Sequence, residues 1–63
     1  MAQSTVTISV RCGGDVITQT GSGSDAIAAG IDAANKEIDA LTAHGGCPDV
    51  VSDIQAFKSK LTA

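Results

Sequence analysis

Residues 6–20 have the sequence VTISVRCGGDVITQT, in which two alternating segments flank a pair of glycines. Apolar side chains occupy every second position of the first segment: Val6, Ile8, Val10 and Cys12. This period of two is typical of a β-strand with one buried face. Gly13 and Gly14 suit a two-residue turn of the primed type, because glycine adopts positive φ angles at little cost. The stretch therefore predicts an antiparallel β-hairpin over residues 5–20.

The two-residue turn also fixes the register of the hairpin. It places Val10 opposite Ile17 and Ile8 opposite Gln19 on one face, and Ser9 opposite Thr18 and Thr7 opposite Thr20 on the other. One face is then mainly apolar and the other carries hydroxyl groups, as in an antiparallel sheet that is covered on a single side. We expect the hydroxyl-rich face to be the exposed one.

A different hydrophobic period begins after residue 24. Apolar residues recur at spacings of four, three, four and three: Ile27, Ile31, Ala34, Ile38 and Leu41. This spacing indicates a helix with one buried face. We expect this first helix to span residues 25–43, and Ser22 or Ser24 to accept a hydrogen bond from its free N-terminal amides.

A second helix follows a glycine break. Gly45 and Gly46 supply a left-handed stop for the first helix, and Pro48 suits the first turn of the next one. Large apolar residues recur along residues 48–61 at spacings of four, three and four: Val50, Ile54, Phe57 and Leu61. The sequence thus predicts a single small domain over residues 1–63. Its fold is of the α+β class, with an antiparallel β-hairpin followed by an antiparallel αα-hairpin (ββαα).

Small residues line one side of the first helix, beside its isoleucines: Ala26, Ala29, Gly30, Ala33 and Ala40. At about 100° per residue, this small-residue strip and the isoleucines together cover about half of the helix circumference. Small side chains permit the close approach of two backbones. Two interpretations stay open: the strip packs tightly against the second helix or the sheet, or it is an interface that docks on another protein chain.

Length and charge limit the classes of function. A chain of 63 residues buries only about 60% of the surface that its unfolded form exposes. We therefore expect a stabilising element such as a disulfide, a metal or a partner chain. The net charge is −3, and the four basic residues are scattered along the sequence: Arg11, Lys36, Lys58 and Lys60. Because they form no basic patch, we expect neither nucleic acid nor an anionic membrane as a partner.

The N-terminal sequence gives no indication of export. It reads MAQST, with no basic region followed by an apolar run, so we predict no signal peptide. No apolar stretch near 20 residues is present to span a bilayer. We expect the protein to be made in the cytoplasm.

Residues 21–26, GSGSDA, match the dinucleotide-binding pattern G-x-G-x-x-G/A. That pattern works within a βαβ unit that has a parallel second strand, whereas here the preceding strand belongs to a hairpin and a second helix follows. Asp25 would also repel an anion at the start of the first helix. We interpret the segment as a flexible turn and predict no nucleotide or other cofactor.

The cysteines and the histidine are the candidates for chemistry. Four residues would supply metal ligands: Cys12, His44, Cys47 and Asp49. Their spacing lacks the paired C-x₂₋₄-C pattern of common structural zinc sites. Cys47 and His44 would also serve as nucleophile and base, but no third residue orients the histidine. The sequence therefore predicts no metal site, no catalytic residues and no enzymatic activity.

The two cysteines have a simpler use. In a ββαα path the hairpin tip and the interhelical loop lie at the same end of the molecule, which brings Cys12 and Cys47 together. A disulfide between them would close about 35 residues and add roughly 3–4 kcal/mol of stability. A reducing cytosol opposes this bond. An intramolecular disulfide, an intermolecular disulfide and two free thiols therefore all stay open.

These observations favour a non-enzymatic structural or assembly protein that docks on copies of itself or on a larger scaffold. The small core, the surplus of small-residue surface and the lack of a catalytic constellation point to it. Accessory or decoration proteins of viral particles are an analogous setting. The alternative is a small acidic regulator that binds and blocks a protein target, although its seven acidic residues are dispersed. Both functions require a protein partner and predict an oligomer or a complex.

Overall fold

The computed structural model describes residues 3–63. Strands β1 (Ser4–Cys12) and β2 (Asp15–Gly23) form a two-stranded antiparallel sheet, and helices α1 (Ala26–His44) and α2 (Pro48–Thr62) follow. The predicted ββαα arrangement of the α+β class is confirmed. Neither helix within these residues is long and apolar enough to cross a bilayer.

The hairpin has the predicted register. Val10 pairs with Ile17, and the other three predicted pairs are also present. Gly13 has a φ of +65°, whereas Gly14 does not adopt a positive φ. Only the first central residue has a positive φ, which is typical of a type II′ turn. A residue with a side chain would be strained at the first of these two positions.

A ladder of hydroxyl groups covers the exposed face of the hairpin. Two hydrogen bonds cross it, between Thr7 Oγ1 and Thr20 Oγ1 (3.1 Å) and between Ser9 Oγ and Thr18 Oγ1 (2.7 Å). The residues on the opposite face are half-buried: Val6, Ile8, Val10, Ile17 and Gln19. The hydroxyl-rich face is the one that meets solvent, as predicted.

Strand β2 continues past Thr20 to Gly23, beyond the predicted end of the hairpin. A Cβ at Gly21 would overlap backbone atoms of Ala29 and Ala33, and a Cβ at Gly23 would lie 2.8 Å from the backbone nitrogen of Ala29. These glycines do not break the strand. They allow α1 to lie directly on it, which is why the sheet extends further than the glycine-rich sequence predicts.

Helix α1 has a polar cap at its start and a glycine at its end. The N–H of Ala28 donates to Asp25 Oδ1 at 2.8 Å. The prediction of a serine cap is wrong, because β2 extends through Ser22 and places Asp25 at the cap position. At the other end Gly45 has a φ of +78°, and its N–H donates to the carbonyl of Leu41 at 2.9 Å. This is the predicted glycine stop.

The hydrophobic core lies between the sheet and the two helices. Its buried centre consists of Cys12, Ala34, Leu41 and Ile54, and half-buried residues pack around it: Ile8, Val10, Ile17, Ile38, Cys47, Val50 and Val51. The prediction of the isoleucine face as the core side of α1 is only partly correct, since Ile27 is 55% exposed. Helix α1 turns its small residues toward β2, which rotates the first of its isoleucines into solvent.

Candidate functional site

One end of the molecule brings the cysteines and the histidine together. Cys12 at the end of β1 and Cys47 before α2 are paired as a disulfide, with their Cα atoms 5.9 Å apart and a sequence separation of 35. The intramolecular alternative is thus the one adopted. Cys12 has no exposed surface, whereas Cys47 is half-buried. The two sulfurs therefore occupy different environments.

His44 lies beside the buried sulfur. Its Nε2 donates to Asp15 Oδ2 at 2.8 Å, and its Nδ1 donates to the carbonyl of Gly45 at 2.8 Å. Both ring nitrogens face acceptors, and the imidazolium is the form that donates to both of them at once. The hydrogen bond to Asp15, followed by the one to Gly45, raises the pKa of His44. Because Nδ1 is also 3.3 Å from Cys12 Sγ, the imidazolium form of His44 places a positive charge next to that sulfur.

An open groove of about 400 Å³ lies beside Cys47. The end of α1, the interhelical loop and the start of α2 line it, with Thr42, Gly45, Gly46, Cys47, Pro48 and Val51 among the lining residues. Cys12 does not belong to this lining. A molecule that enters the groove therefore meets Cys47 first.

The sequence identified Cys12, Cys47 and His44 of this cluster, and it considered His44 as a base only for Cys47. The structure sets His44 against Cys12 rather than Cys47, and it adds Asp15, which the sequence analysis did not select. The signal for Asp15 was its position directly after Gly14, at the hairpin tip beside Cys12. In the part of the chain that the structure describes, no group of three His, Cys, Asp or Glu residues is arranged to hold a metal ion.

The small-residue strip packs mainly within the chain. Ala29 and Ala33 have no exposed surface and lie against β2 at Gly21. Gly30 is buried under α2, where an added Cβ would lie 2.8 Å from Leu61 Cδ1. At the margins of the strip, Ala26 is exposed and Ala40 is half-buried. The interface interpretation is thereby corrected for the three central residues, because the chain itself covers them.

Side chains of α1 cover the outer edge of β2 at Thr20 and Ser22. The N–H of Ser22 donates to Asp32 Oδ2 at 2.9 Å, and Lys36 Nζ donates to the carbonyl of Thr20 at 3.2 Å. Asp32 and Lys36 also form an ion pair with a distance of 3.2 Å. The hydrogen bond from the Ser22 amide, followed by the one from Lys36, lowers the pKa of Asp32. No further strand has access to these backbone groups of β2.

The outer edge of β1 differs. In an antiparallel ladder, the two residues of every second pair point their backbone N–H and C=O groups away from each other. Ser22 and Thr20 bind α1 through such outward groups, so their pairs are of this kind. Their partners on β1 are Thr5 and Thr7. The outward residues of β1 are therefore Thr5, Thr7, Ser9 and Arg11, all of which are exposed. Within residues 3–63, no hydrogen bond covers their backbone groups.

Glu37 is an unexpected member of the interior. It has no exposed surface, and neither carboxylate oxygen has a hydrogen-bond partner in the described part of the chain. Burial raises the pKa of its carboxyl group. The sequence signal was its helical position, four residues after Ala33 and three after Ala34, between two buried faces of α1. An unpaired carboxyl group in this place costs stability.

No protein-family model, curated protein or solved structure matches this chain. The function is therefore argued from two features, the uncovered edge of β1 and the disulfide end with His44 and Asp15. The first is an exposed strand edge whose outward backbone groups have no hydrogen-bond partner within residues 3–63. The second is a group of side chains with chemistry of its own.

Proposed function

We propose that this chain is a small non-enzymatic assembly protein, and that its partner is a second copy of itself bound through the edge of β1. The observation that carries the proposal is the contrast between the two sheet edges. Asp32 and Lys36 cover the edge of β2 at Thr20 and Ser22, whereas no hydrogen bond within residues 3–63 covers an outward residue of β1. β1 has no proline or bulge and only one charged residue, Arg11. These are the devices by which proteins protect a free edge.

The backbone of β1 suits antiparallel pairing with its own copy. A two-fold axis at Ile8 pairs Thr7 with Ser9 of the second copy and Thr5 with Arg11 of the second copy. All four residues point their N–H and C=O groups outward, so each pair exchanges both hydrogen bonds. Arg11 then lies opposite a threonine, and no two like charges face each other across the new ladder.

The side chains of β1 support the same register. On the helix-facing side Val6 lies opposite Val10 of the second copy, and Ile8 lies opposite its own counterpart. These three residues are half-buried in the single chain, and pairing removes more of their apolar surface from water. The result is a four-stranded sheet. A two-stranded sheet is marginal in water, and added strands increase its stability.

Sedimentation velocity over a wide range of concentrations tests the proposal, with a double variant that places like charges on the pairing edge. Thr7→Lys with Ser9→Lys sets positive charges opposite one another across the two-fold axis, which destabilises a ladder. Thr18→Lys with Thr20→Lys is the matched control, because it adds the same charge and removes the same two hydroxyl hydrogen bonds from the other strand. We expect the wild type and the control to dimerise and the β1 variant to stay monomeric.

Two results would overturn the proposal. A wild type that is monomeric at every concentration would exclude self-assembly. A β1 variant that dimerises as tightly as the control would exclude the β1 edge as the interface. All four substituted residues are exposed, so we expect each variant to retain its helices. Circular dichroism of all three proteins checks this.

A further inference from the structure

The two sulfurs of the disulfide are chemically distinct. Cys12 has no exposed surface, and its Sγ lies 3.3 Å from Nδ1 of His44. Cys47 is half-buried and lines the open groove of about 400 Å³. Cys47 is therefore the cysteine that faces the open groove, and Cys12 is the one that lies beside the imidazole ring of His44.

We propose that the Cys12–Cys47 bond is a thiol-exchange centre for a peptide-sized thiol of the glutathione class. The thiolate of the reagent attacks Cys47 Sγ and forms a new S–S bond with it. The Cys12–Cys47 bond breaks, and its electron pair stays on Cys12 Sγ as a thiolate. A second reagent thiolate then attacks the mixed disulfide, which releases Cys47 as a thiolate and forms the oxidised dimer of the reagent.

His44 favours Cys12 as the leaving group. A thiol whose anion is stabilised leaves faster, and a nearby imidazolium stabilises a thiolate. The Nδ1–H of His44 faces the carbonyl of Gly45 at 2.8 Å and also lies 3.3 Å from Cys12 Sγ, so it is shared with the thiolate that forms there. Asp15 holds the opposite nitrogen at 2.8 Å and keeps the ring protonated. Among residues 3–63, Asp15 is the only acid within ion-pair distance of His44.

The groove favours Cys47 as the attacked sulfur. Gly45 and Gly46 line it, and an added Cβ at either residue would meet nothing within 4 Å. The approach to Cys47 is therefore open on the loop side. Reduction removes the covalent link between the hairpin tip and the interhelical loop. This inference is independent of the proposed dimer, because it uses the sulfurs and His44 rather than the backbone edge of β1.

Equilibration of the full chain with mixtures of reduced and oxidised glutathione tests the proposal. We expect His44→Asn to favour the disulfide about tenfold relative to the wild type, a fall of about 30 mV in reduction potential. Asp15→Asn should shift the equilibrium in the same direction by less, because it removes only the partner that keeps His44 protonated. Asp53→Asn is the matched control, since it neutralises an exposed acid with no bond to His44. It should match the wild type.

Peptide mapping of the trapped mixed disulfide identifies the attacked sulfur. We expect glutathione on Cys47, and a mixed disulfide on Cys12 would overturn the assignment. Equal equilibrium constants for the wild type and both charge variants would overturn the role of His44. Asp15 is exposed, so we expect Asp15→Asn to fold. If circular dichroism shows that His44→Asn does not fold, the equilibrium constant of Asp15→Asn decides the role of His44.

Discussion

The two strands of the hairpin are held to the helices in different ways. β2 lies under α1 with glycines and alanines at the contact, so the two backbones approach closely, and Asp32 and Lys36 of α1 bind its outer edge. β1 contributes large side chains instead, and Val6, Ile8 and Val10 stay half-buried. Its outer edge has no cover within residues 3–63. The chain thus covers β2 at Thr20 and Ser22, and it leaves the corresponding residues of β1, Thr5 and Thr7, uncovered.

This difference follows from side-chain size. Where the side chains are small, the helix backbone comes near enough for its own polar side chains to reach the strand edge. The residues of β1 that face the helices carry large side chains, and no hydrogen bond within residues 3–63 joins α1 to the outer edge of β1. Close packing thus protects β2, and no such contact protects β1. The comparison leads to three measurements on the single chain.

The largest effect is expected at Gly21. In Gly21→Ala the new Cβ would overlap backbone atoms of Ala29 and Ala33, which have no flexible group that can move aside. Overpacking of ordinary cores costs about 1–3 kcal/mol, and a clash with backbone should cost more than about 3 kcal/mol here. Chemical denaturation followed by circular dichroism measures the loss.

Gly14→Ala is the matched control for Gly21→Ala. It makes the same substitution in the same hairpin at a residue where an added Cβ meets nothing within 4 Å and the φ is not positive. We expect its unfolding free energy to stay close to that of the wild type. Equal losses at both glycines would mean that backbone contact between α1 and β2 does not hold this half of the molecule.

A smaller effect of opposite sign is expected at Glu37, on the buried side of α1. Glu37→Leu replaces an unpaired buried carboxyl group with an apolar side chain of similar size, which should stabilise the protein by about 1–3 kcal/mol at neutral pH. Glu37→Gln is the control, because it removes the charge but leaves polar atoms without partners. It should stabilise less than Glu37→Leu.

The pH dependence of this gain has a defined direction. Burial raises the pKa of Glu37 in the folded state, so the folded protein binds the proton more tightly than the unfolded chain. Wild-type stability should therefore fall as the pH rises from the ordinary glutamate pKa through the raised value. The difference in unfolding free energy between the wild type and Glu37→Gln, measured over pH, contains the contribution of Glu37. The contributions of Asp32 and His44 are common to both proteins and cancel. A difference that does not vary with pH would contradict the burial of an ionisable Glu37.

The sequence predicted the order of elements, the hairpin register and the proximity of Cys12 to Cys47, because each depends on local periodicity or turn chemistry. It did not predict that Gly21 belongs to a strand. A glycine is compatible with a turn and with a close helix contact, and only the position of α1 selects between them. The same rotation of α1 buries Glu37 and exposes Ile27. The spacing of apolar residues alone predicts neither the burial of Glu37 nor the exposure of Ile27, because it assigns every glutamate to the polar surface.

The candidate site was harder to predict for a related reason. Cys12 and His44 are separated by most of the hairpin and all of α1, so their contact depends on how far the helix extends toward the hairpin tip. The sequence also did not predict that the outer edge of β1 is free. Whether a strand edge is covered depends on which other elements pack beside it, and this is known only from the tertiary structure. For the covered edge of β2 the sequence did contain a signal, because Asp32 and Lys36 lie four residues apart on α1. Their contact with β2 required the tertiary structure.

The smallest effect is expected at the covered edge of β2. Asp32→Ala removes the acceptor of the Ser22 amide, so the amide of Ser22 should exchange its hydrogen faster while the global fold persists. The cross-strand partner of Ser22 is Thr5, whose outward N–H has no acceptor within residues 3–63. In a dilute solution of single chains it should exchange fast in both proteins, which makes it the internal control. Amide exchange followed by NMR spectroscopy measures both residues.

Acid provides an independent check on the same contact. The Ser22 amide and Lys36 lower the pKa of Asp32, so the contact contributes stability above the ordinary aspartate pKa and loses it as the pH falls through the lowered value. Protection of Ser22 should decrease over that acidic range in the wild type and stay low throughout in Asp32→Ala. Equal protection of Ser22 in both proteins would mean that α1 does not cover the edge of β2. The two edges would then be alike, and the preference for pairing through β1 would lose its physical basis.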